Sequence, residues 1–230
     1  MRKNFRFAAL MVLAVASFAR TTEVLAAPLL AVDFGRNTPT PVQPGFSGMA
    51  GGPVEASRTE PFGPYTVTVQ GEGFYSAGFN AGNVDPSVAA LYEDYYYHNS
   101  TTNGVGIALS IAGVAPNTVY DVTLWSYDAD NIFSATPTTW GPSGTTTGTS
   151  GSATNFATPF PTDLSFNSTT IRVSSTSATL DIFGTTTGGS GGTRLNGFEL
   201  NAVPEPSMVA LAAVGALLAM GFPGRIRPRQ

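Results

Sequence analysis

The sequence predicts an all-β domain for the central part of the chain, folded as a β-sandwich. Short β-branched runs recur there between clusters of Gly, Pro, Asn and Ser, and no stretch keeps a helical apolar period over ten residues. Short strands separated by polar loops favour two sheets, because each sheet then covers the apolar face of the other. Strands are expected at residues 28–34, 65–70, 104–111, 118–128, 169–173, 178–183 and 195–201, with a helical turn at 88–91.

Residues 118–128 form the clearest predicted strand. A Pro-Asn pair at 116–117 favours a tight turn just before it. Alternation along an extended chain then divides the side chains between two faces. One face carries Tyr120, Val122 and Leu124. The other face carries Asp121, Thr123 and Trp125.

Two segments are predicted to be loops. Residues 136–158 are rich in Thr, Ser and Gly and contain only Trp140 and Phe156 as large apolar groups, and residues 184–193 are almost entirely Gly, Thr and Ser. Such compositions bury too little apolar area to offset the entropy lost on ordering.

The N-terminal residues 1–26 have the pattern of a secretory signal peptide, expected to be helical. Arg2, Lys3 and Arg6 precede an apolar stretch at 7–18, and residues 24–26, Val-Leu-Ala, are small or tolerated at a cleavage site after Ala26. We therefore expect export and removal of this segment by signal peptidase.

The C-terminal residues 203–230 have three parts. Pro204, Glu205 and Pro206 are followed by an apolar run at 208–222 and by a tail with three arginines. Basic residues beyond an apolar segment are retained on the cytoplasmic side, which places the preceding chain outside the inner membrane. As a helix, the 15-residue run would be about 22 Å long, short of the roughly 30 Å of a hydrocarbon core. The sequence therefore predicts a short transmembrane helix that suits processing better than permanent anchoring.

Residues 27–202 remain as one domain with a single core. This region has four arginines, no lysine and thirteen acidic residues, a net charge of −9, and the chain has no cysteine. A surface this acidic repels phosphate backbones, so a nucleic-acid partner is not expected. Disulfides and thiolate chemistry are excluded.

The C-terminal segment resembles the PEP-CTERM sorting signal of Gram-negative bacteria that make extracellular polysaccharide. Its motif, apolar run and basic tail occur in the order typical of that family. The resemblance implies recognition by an exosortase in the inner membrane, cleavage near the motif, and release or attachment at the cell surface. The alternative is an ordinary C-terminal membrane anchor.

The body resembles the galactose-binding-like jelly roll, closest to its malectin-like and carbohydrate-binding-module branches. Three segments carry the likeness: AVDFG at 31–35, PNTVYDVTL at 116–124 and LNGFEL at 195–200. The resemblance implies a binding module whose first and last strands are neighbours. It also implies that a structural calcium ion is common, for which Asp33 and Glu199 in the end strands form a candidate pair.

Aromatic residues are the candidate ligand contacts, since rings stack on the apolar faces of sugars. In an extended segment, Tyr95 and Tyr97 point one way and Tyr96 the other; the alternative role for this cluster is strand packing. Trp125 and Tyr127 form either a buried second side of their strand or a binding surface. Trp140 either packs against the sandwich or contacts a ligand.

Asp128 and Asp130, just past the clearest strand, are a second candidate calcium pair, because calcium prefers carboxylate and carbonyl oxygens. The alternative is a solvated loop or an Asx turn. No other cofactor is expected.

The candidate catalytic motifs in the sequence lack the context that an enzyme would need. The string at 188–192 matches a nucleophile elbow, but it lies in low-complexity sequence and the single histidine precedes its serine. Adjacent Glu93 and Asp94 would face opposite sides of a strand and could not flank one glycosidic bond. We therefore expect an exported, non-catalytic module associated with extracellular polysaccharide. The alternatives are a divergent secreted polysaccharide hydrolase or lyase, and a purely structural matrix protein.

Overall fold

A computed structural model describes residues 27–36, 41–76, 85–100, 102, 104–128, 136–155, 161–186 and 192–204. The predicted signal peptide and the C-terminal segment from Glu205 onward lie outside these residues. Within them, no helix has both the length and the apolar character needed to cross a membrane.

More than half of the described residues lie in β-strands, and they include one short helix, α1, at Ala89–Glu93. The strands are β1 (Leu30–Arg36), β2 (Ser47–Gly51), β3 (Ser57–Phe62), β4 (Tyr65–Gln70), β5 (Gly73–Ser76), β6 (Asp94–His98), β7 (Gly106–Ala112), β8 (Val119–Trp125), β9 (Thr136–Pro142), β10 (Thr146–Gly148), β11 (Gly151–Asn155), β12 (Ser168–Ser175), β13 (Thr179–Thr186), β14 (Thr193–Leu195) and β15 (Gly197–Ala202).

The strands form two large sheets and one small sheet. The first large sheet has the order β10-β12-β8-β15-β1-β2, and the second has the order β11-β9-β13-β7-β4-β3. The small sheet has the order β14-β6-β5. The described strand pairs are antiparallel except β1 with β2, which run parallel.

The two large sheets enclose one apolar core, which confirms the all-β sandwich predicted from the sequence. Alternate residues of β13 are buried, so Leu180 and Ile182 face inward and their neighbours face outward. In β8, Tyr120, Val122 and Leu124 occupy the core as the alternation predicts. Burying each such aliphatic side chain stabilises the fold by about 1.5–3 kcal/mol.

The first and last strands are neighbours, as the sequence resemblance implied. Leu30 of β1 lies opposite Leu200 of β15, and Asp33 lies opposite Gly197. From β7 to β13, each successive strand lies in the other large sheet, so the chain repeatedly crosses the sandwich.

The prediction that residues 136–158 form a loop is wrong. This segment contains β9, β10 and β11, and Trp140 of β9 is fully buried in the core. Threonine is β-branched and suits a half-buried pleated strand, and its hydroxyl can pair across strands, as between Thr139 and Ser152 at 3.0 Å. Composition indicated little apolar area, but one tryptophan and a partner sheet are enough to order the segment.

The second predicted loop, residues 184–193, is wrong at both ends. β13 continues to Thr186 and β14 begins at Thr193, while residues 187–191 lie outside the described residues. The seven strands and the helical turn expected from the sequence are present, with ends displaced by a few residues. Strands β2, β3, β5 and β14 were not predicted from the sequence, and β6 corresponds to the strand-packing alternative for the tyrosine cluster.

Candidate functional site

The outer side of the small sheet carries an aromatic surface that we call the tyrosine face, formed by Tyr75, Tyr95, Tyr97 and Arg194. Register brings these residues together, because Tyr75 lies opposite Tyr95 and Arg194 lies opposite Tyr97. The alternate residues Phe74, Tyr96 and Leu195 point inward and belong to the main core. The predicted division of Tyr95 and Tyr97 from Tyr96 is therefore present.

The rings of the tyrosine face are held in a fixed arrangement. Tyr75 stacks on Tyr95 with centroids 5.3 Å apart and planes inclined by 29°. Tyr97 stands edge-on to both rings, at 6.3 and 6.5 Å. Tyr95 is only 3 % exposed whereas Tyr75 is 36 % exposed, and Tyr97 is half-buried. Tyr95 is thus a support, and Tyr75 and Tyr97 are the rings that meet solvent.

A buried ion pair between Arg194 and Asp128 supports the tyrosine face. Arg194 Nε donates to Asp128 Oδ2 at 2.8 Å, and the two side chains are 9 % and 4 % exposed. The Tyr95 hydroxyl donates to the other oxygen of Asp128 at 3.2 Å. The guanidinium carbon of Arg194 lies 5.2 Å from the Tyr95 ring centre and 5.8 Å from that of Tyr97. One carboxylate therefore fixes both the cation and a tyrosine, and the cation in turn fixes two rings.

Buried hydrogen bonds attach the small sheet to the sandwich. The Ser126 hydroxyl donates to the carbonyl of Arg194 at 2.7 Å and accepts from the Trp140 indole nitrogen at 3.0 Å. The Asn196 side chain accepts from the Tyr127 backbone at 2.6 Å and donates to the carbonyl of Asp94 at 2.8 Å. Each of these groups is buried and paired, so the sheet is held in one position.

A short loop at residues 52–55 crosses one edge of the tyrosine face. The Tyr97 hydroxyl donates to the carbonyl of Pro53 at 3.0 Å, and Val54 next to it is 87 % exposed. A Cβ atom added to Gly73 would lie 2.3 Å from the same carbonyl. Glycine at position 73 therefore allows the loop to approach the sheet.

The three other aromatic candidates are buried. Trp140 is 0 % exposed in the main core. Trp125 is 2 % exposed, donates to the carbonyl of Leu164 at 2.6 Å and meets the Phe46 ring edge-on. Tyr127 is 0 % exposed, and burial raises its pKa to about 12. The packing alternative describes all three, and none offers an exposed ring face for stacking.

Asp33 lies in a different place from the tyrosine face. It lines a cavity of about 220 Å³ together with Asp94, and its carboxylate accepts from the Gln43 backbone at 2.7 Å. The pKa of Asp33 is raised to about 7, mainly by burial, which outweighs the lowering effect of the Gln43 hydrogen bond, with smaller contributions from the nearby carboxylates of Asp94 and Glu93. The cavity therefore contains a carboxyl group that gains or loses its proton near neutral pH.

Calcium binding by the predicted pairs stays a prediction. Glu199 is half-buried opposite Ala31, diagonal to Asp33, and burial raises its pKa. Asp128 forms the ion pair with Arg194, and Asp130 lies outside the described residues. Among the residues that the structure describes, no three or more His, Cys, Asp or Glu side chains group in a way that could hold a metal ion.

Tyr75 and Arg194 are site residues that were not predicted from the sequence. A signal for Tyr75 was present, since the short run GFYS could pair with YYYH as a second aromatic strand. No local pattern marks Arg194, which reaches the face because β14 pairs with β6 across a long sequence separation. No family model, curated protein or solved structure matches this chain.

Proposed function

We propose that this protein is exported and sorted by an exosortase, and that it is a non-catalytic module that binds uncharged extracellular polysaccharide through the tyrosine face. The observation that carries the binding proposal is the exposed Tyr75 ring, stacked on Tyr95 and flanked by Tyr97. Such a ring offers a flat apolar surface to the C–H face of a sugar, and tyrosine hydroxyls near it offer polar partners.

The supporting groups favour binding with little reorganisation. Tyr95, Arg194 and Asp128 are buried and mutually bonded, so the exposed rings are ordered before a ligand arrives. Preorganisation reduces the entropy lost on binding. A preordered tyrosine face of this kind suits the binding of a polymer that lies across the surface.

Charge favours an uncharged polymer. The three arginine side chains that the structure describes are paired with carboxylates: Arg58 with Glu55 and Glu60, Arg172 with Asp121, and Arg194 with Asp128. The predicted domain has no lysine and thirteen acidic residues. An anionic polysaccharide would be repelled by this field and would find no described unpaired arginine to bind.

The same proposal includes the finer fold description, a jelly roll of the galactose-binding-like type. The strands from β7 to β13 alternate between the two large sheets, and β1 pairs with β15, both of which suit that topology. The predicted terminal helices belong to the signal peptide and to the short transmembrane segment.

Mass spectrometry of the intact extracellular protein tests the export and sorting steps. We expect a chain that begins at Ala27 and has lost the segment after the Pro204–Pro206 motif. An intact C-terminus would instead indicate an ordinary membrane anchor.

Gel retardation in the presence of polysaccharides tests the binding step. We expect retardation by neutral probes such as dextran or a β-glucan, none by alginate, and loss of retardation in Tyr75→Ala. Val119→Ala is the matched control, because Val119 is also 36 % exposed and lies far from the tyrosine face. Release of reducing ends from the probe would indicate a hydrolase, and unsaturated ends a lyase. Absence of both binding and turnover would favour a structural matrix protein.

A further inference from the structure

The two ends of the described domain leave the sandwich side by side. The Leu29 backbone donates to the carbonyl of Leu200 at 2.9 Å, and the Val203 backbone donates to the carbonyl of Val119 at 2.9 Å. We call the surface formed by Leu29, Val119 and Val203 the exit end. It lies where β1 and β8 begin and where β15 finishes.

The tyrosine face lies at the opposite end of the same strands. Gly197, at the start of β15, pairs with Trp125 at the end of β8, and the next residue, Ser126, bonds to the carbonyl of Arg194. The six residues of β15 span about 20 Å between the two ends. The direction of one central strand therefore separates the tyrosine face from the point where the C-terminal segment leaves.

The chain that connects the sandwich to the predicted membrane segment is short. β15 ends at Ala202, and Val203 is still hydrogen-bonded to β8. The apolar run begins at Met208, five residues after Val203. Five fully extended residues reach at most about 18 Å. While the apolar run is in the membrane, the exit end is thus held close to the lipid headgroups.

The exit end is also apolar enough to contact that surface. Leu29 is 46 % exposed and Val119 is 36 % exposed, on the outer side of the first large sheet, and Val203 is half-buried beside Val119. Scattered apolar side chains need no partner, but here they adjoin the strand end from which the apolar run follows.

We infer that the exit end is a docking surface for the lipid headgroup region in the membrane-held precursor, so that the tyrosine face is presented away from the membrane. This inference rests on the sorting half of the proposed function and is independent of polysaccharide binding. The partner is a lipid surface, identified by the short distance to the apolar run and by the exposed Leu29 and Val119.

Single-cysteine labelling tests this orientation cleanly, because the chain has no cysteine of its own. The exported, unsorted chain, made in a host without an exosortase, is labelled with an environment-sensitive dye and reconstituted in phosphatidylethanolamine–phosphatidylglycerol vesicles. Labels at Leu29→Cys and Val119→Cys report on the exit end. A label at Val54→Cys, 87 % exposed beside the tyrosine face, is the matched control.

We expect headgroup-level spin-labelled lipids to quench the dyes at positions 29 and 119 several-fold more than the dye at position 54. Equal quenching at all three positions, or stronger quenching at position 54, would overturn the inference. A twelve-residue Gly-Ser insertion between Val203 and Pro204 should reduce quenching at positions 29 and 119, because the longer connection lets the exit end move away from the lipid headgroups. Unchanged quenching after the insertion also counts against the inference.

Failure of the chain to float with vesicles would overturn both this inference and the sorting step. Binding of neutral polysaccharide by the same preparation is measured separately. Failure of binding with intact orientation would leave this inference standing and reject the polysaccharide half of the proposed function.

Discussion

Removing the carboxylate beneath the tyrosine face should destabilise the protein strongly. In Asp128→Ala, the Arg194 guanidinium would stay buried at 9 % exposure without its 2.8 Å partner, and the Tyr95 hydroxyl would lose its 3.2 Å acceptor. Breaking a buried pair by deleting one partner typically costs about 3–5 kcal/mol, because an uncompensated charge remains in a poorly solvated site. For a domain of this size, that loss lowers Tm by roughly 10 °C.

The chain provides a matched control for this variant. Arg172 donates to both oxygens of Asp121, at 2.8 and 2.7 Å, so this pair has bidentate geometry of its own. Its side chains are 59 % and 28 % exposed, compared with 9 % and 4 % for Arg194 and Asp128. Water and salt screen the exposed pair, and we expect Asp121→Ala to leave the unfolding midpoint almost unchanged.

Equilibrium urea unfolding of the wild type, Asp128→Ala and Asp121→Ala measures the difference. The comparison requires equal slopes, so that a change in midpoint reports on stability alone. A double variant, Asp128→Leu with Arg194→Met, should recover much of the loss, since it removes both charges from the buried site. Equal destabilisation by the two single alanine variants would refute the reasoning that burial determines the cost.

Three further outcomes are expected. Because the pKa of Asp33 is raised from 3.8 to about 7, its contribution to stability is fully present below about pH 4 and is lost as the pH rises through 7. The raised pKa corresponds to about 4 kcal/mol, so urea midpoints should fall over this pH range in the wild type and much less in Asp33→Asn; parallel curves would contradict this. Gly73→Ala should destabilise the protein and weaken polysaccharide binding, because its Cβ would lie 2.3 Å from the carbonyl oxygen of Pro53 in the loop at 52–55. Gly52→Ala is the control and should be tolerated, because its Cβ would meet open space. Trp125 and Trp140 are 2 % and 0 % exposed, so their emission should be blue-shifted, resist acrylamide, and stay unchanged on adding polysaccharide; a ligand-dependent change would place a tryptophan in the site.

The fold class could be predicted because local patterns carry it. The alternation in β8 and β13 places apolar side chains on one face at every second position, which only a strand satisfies. The end strands could be paired through the family resemblance. The strands within 136–158 could not be predicted from local patterns. This threonine-rich run is ordered by the packing of Trp140 into a core formed by other segments.

The candidate site could be predicted only in part. Adjacent tyrosines indicated a division between core and surface, and Tyr95 and Tyr97 do share the outer side of the small sheet. Their partners come from other strands. The run GFYS gave a weak local signal for Tyr75, but no local pattern marked Arg194. Trp125 and Trp140 were candidate ligand contacts because aromatic rings stack on sugars, but their indole nitrogens donate to Leu164 and Ser126 within the fold. Aromatic identity indicates burial or binding equally well until tertiary contacts are known.

Calorimetric titration of a neutral polysaccharide into wild type, Tyr75→Ala and Tyr75→Phe tests the central claim most directly. We expect measurable binding by the wild type, a loss of affinity of about tenfold or more in Tyr75→Ala, and near-normal affinity in Tyr75→Phe, which keeps the ring. Unchanged affinity in Tyr75→Ala, or binding of alginate in preference to the neutral polymer, would contradict it.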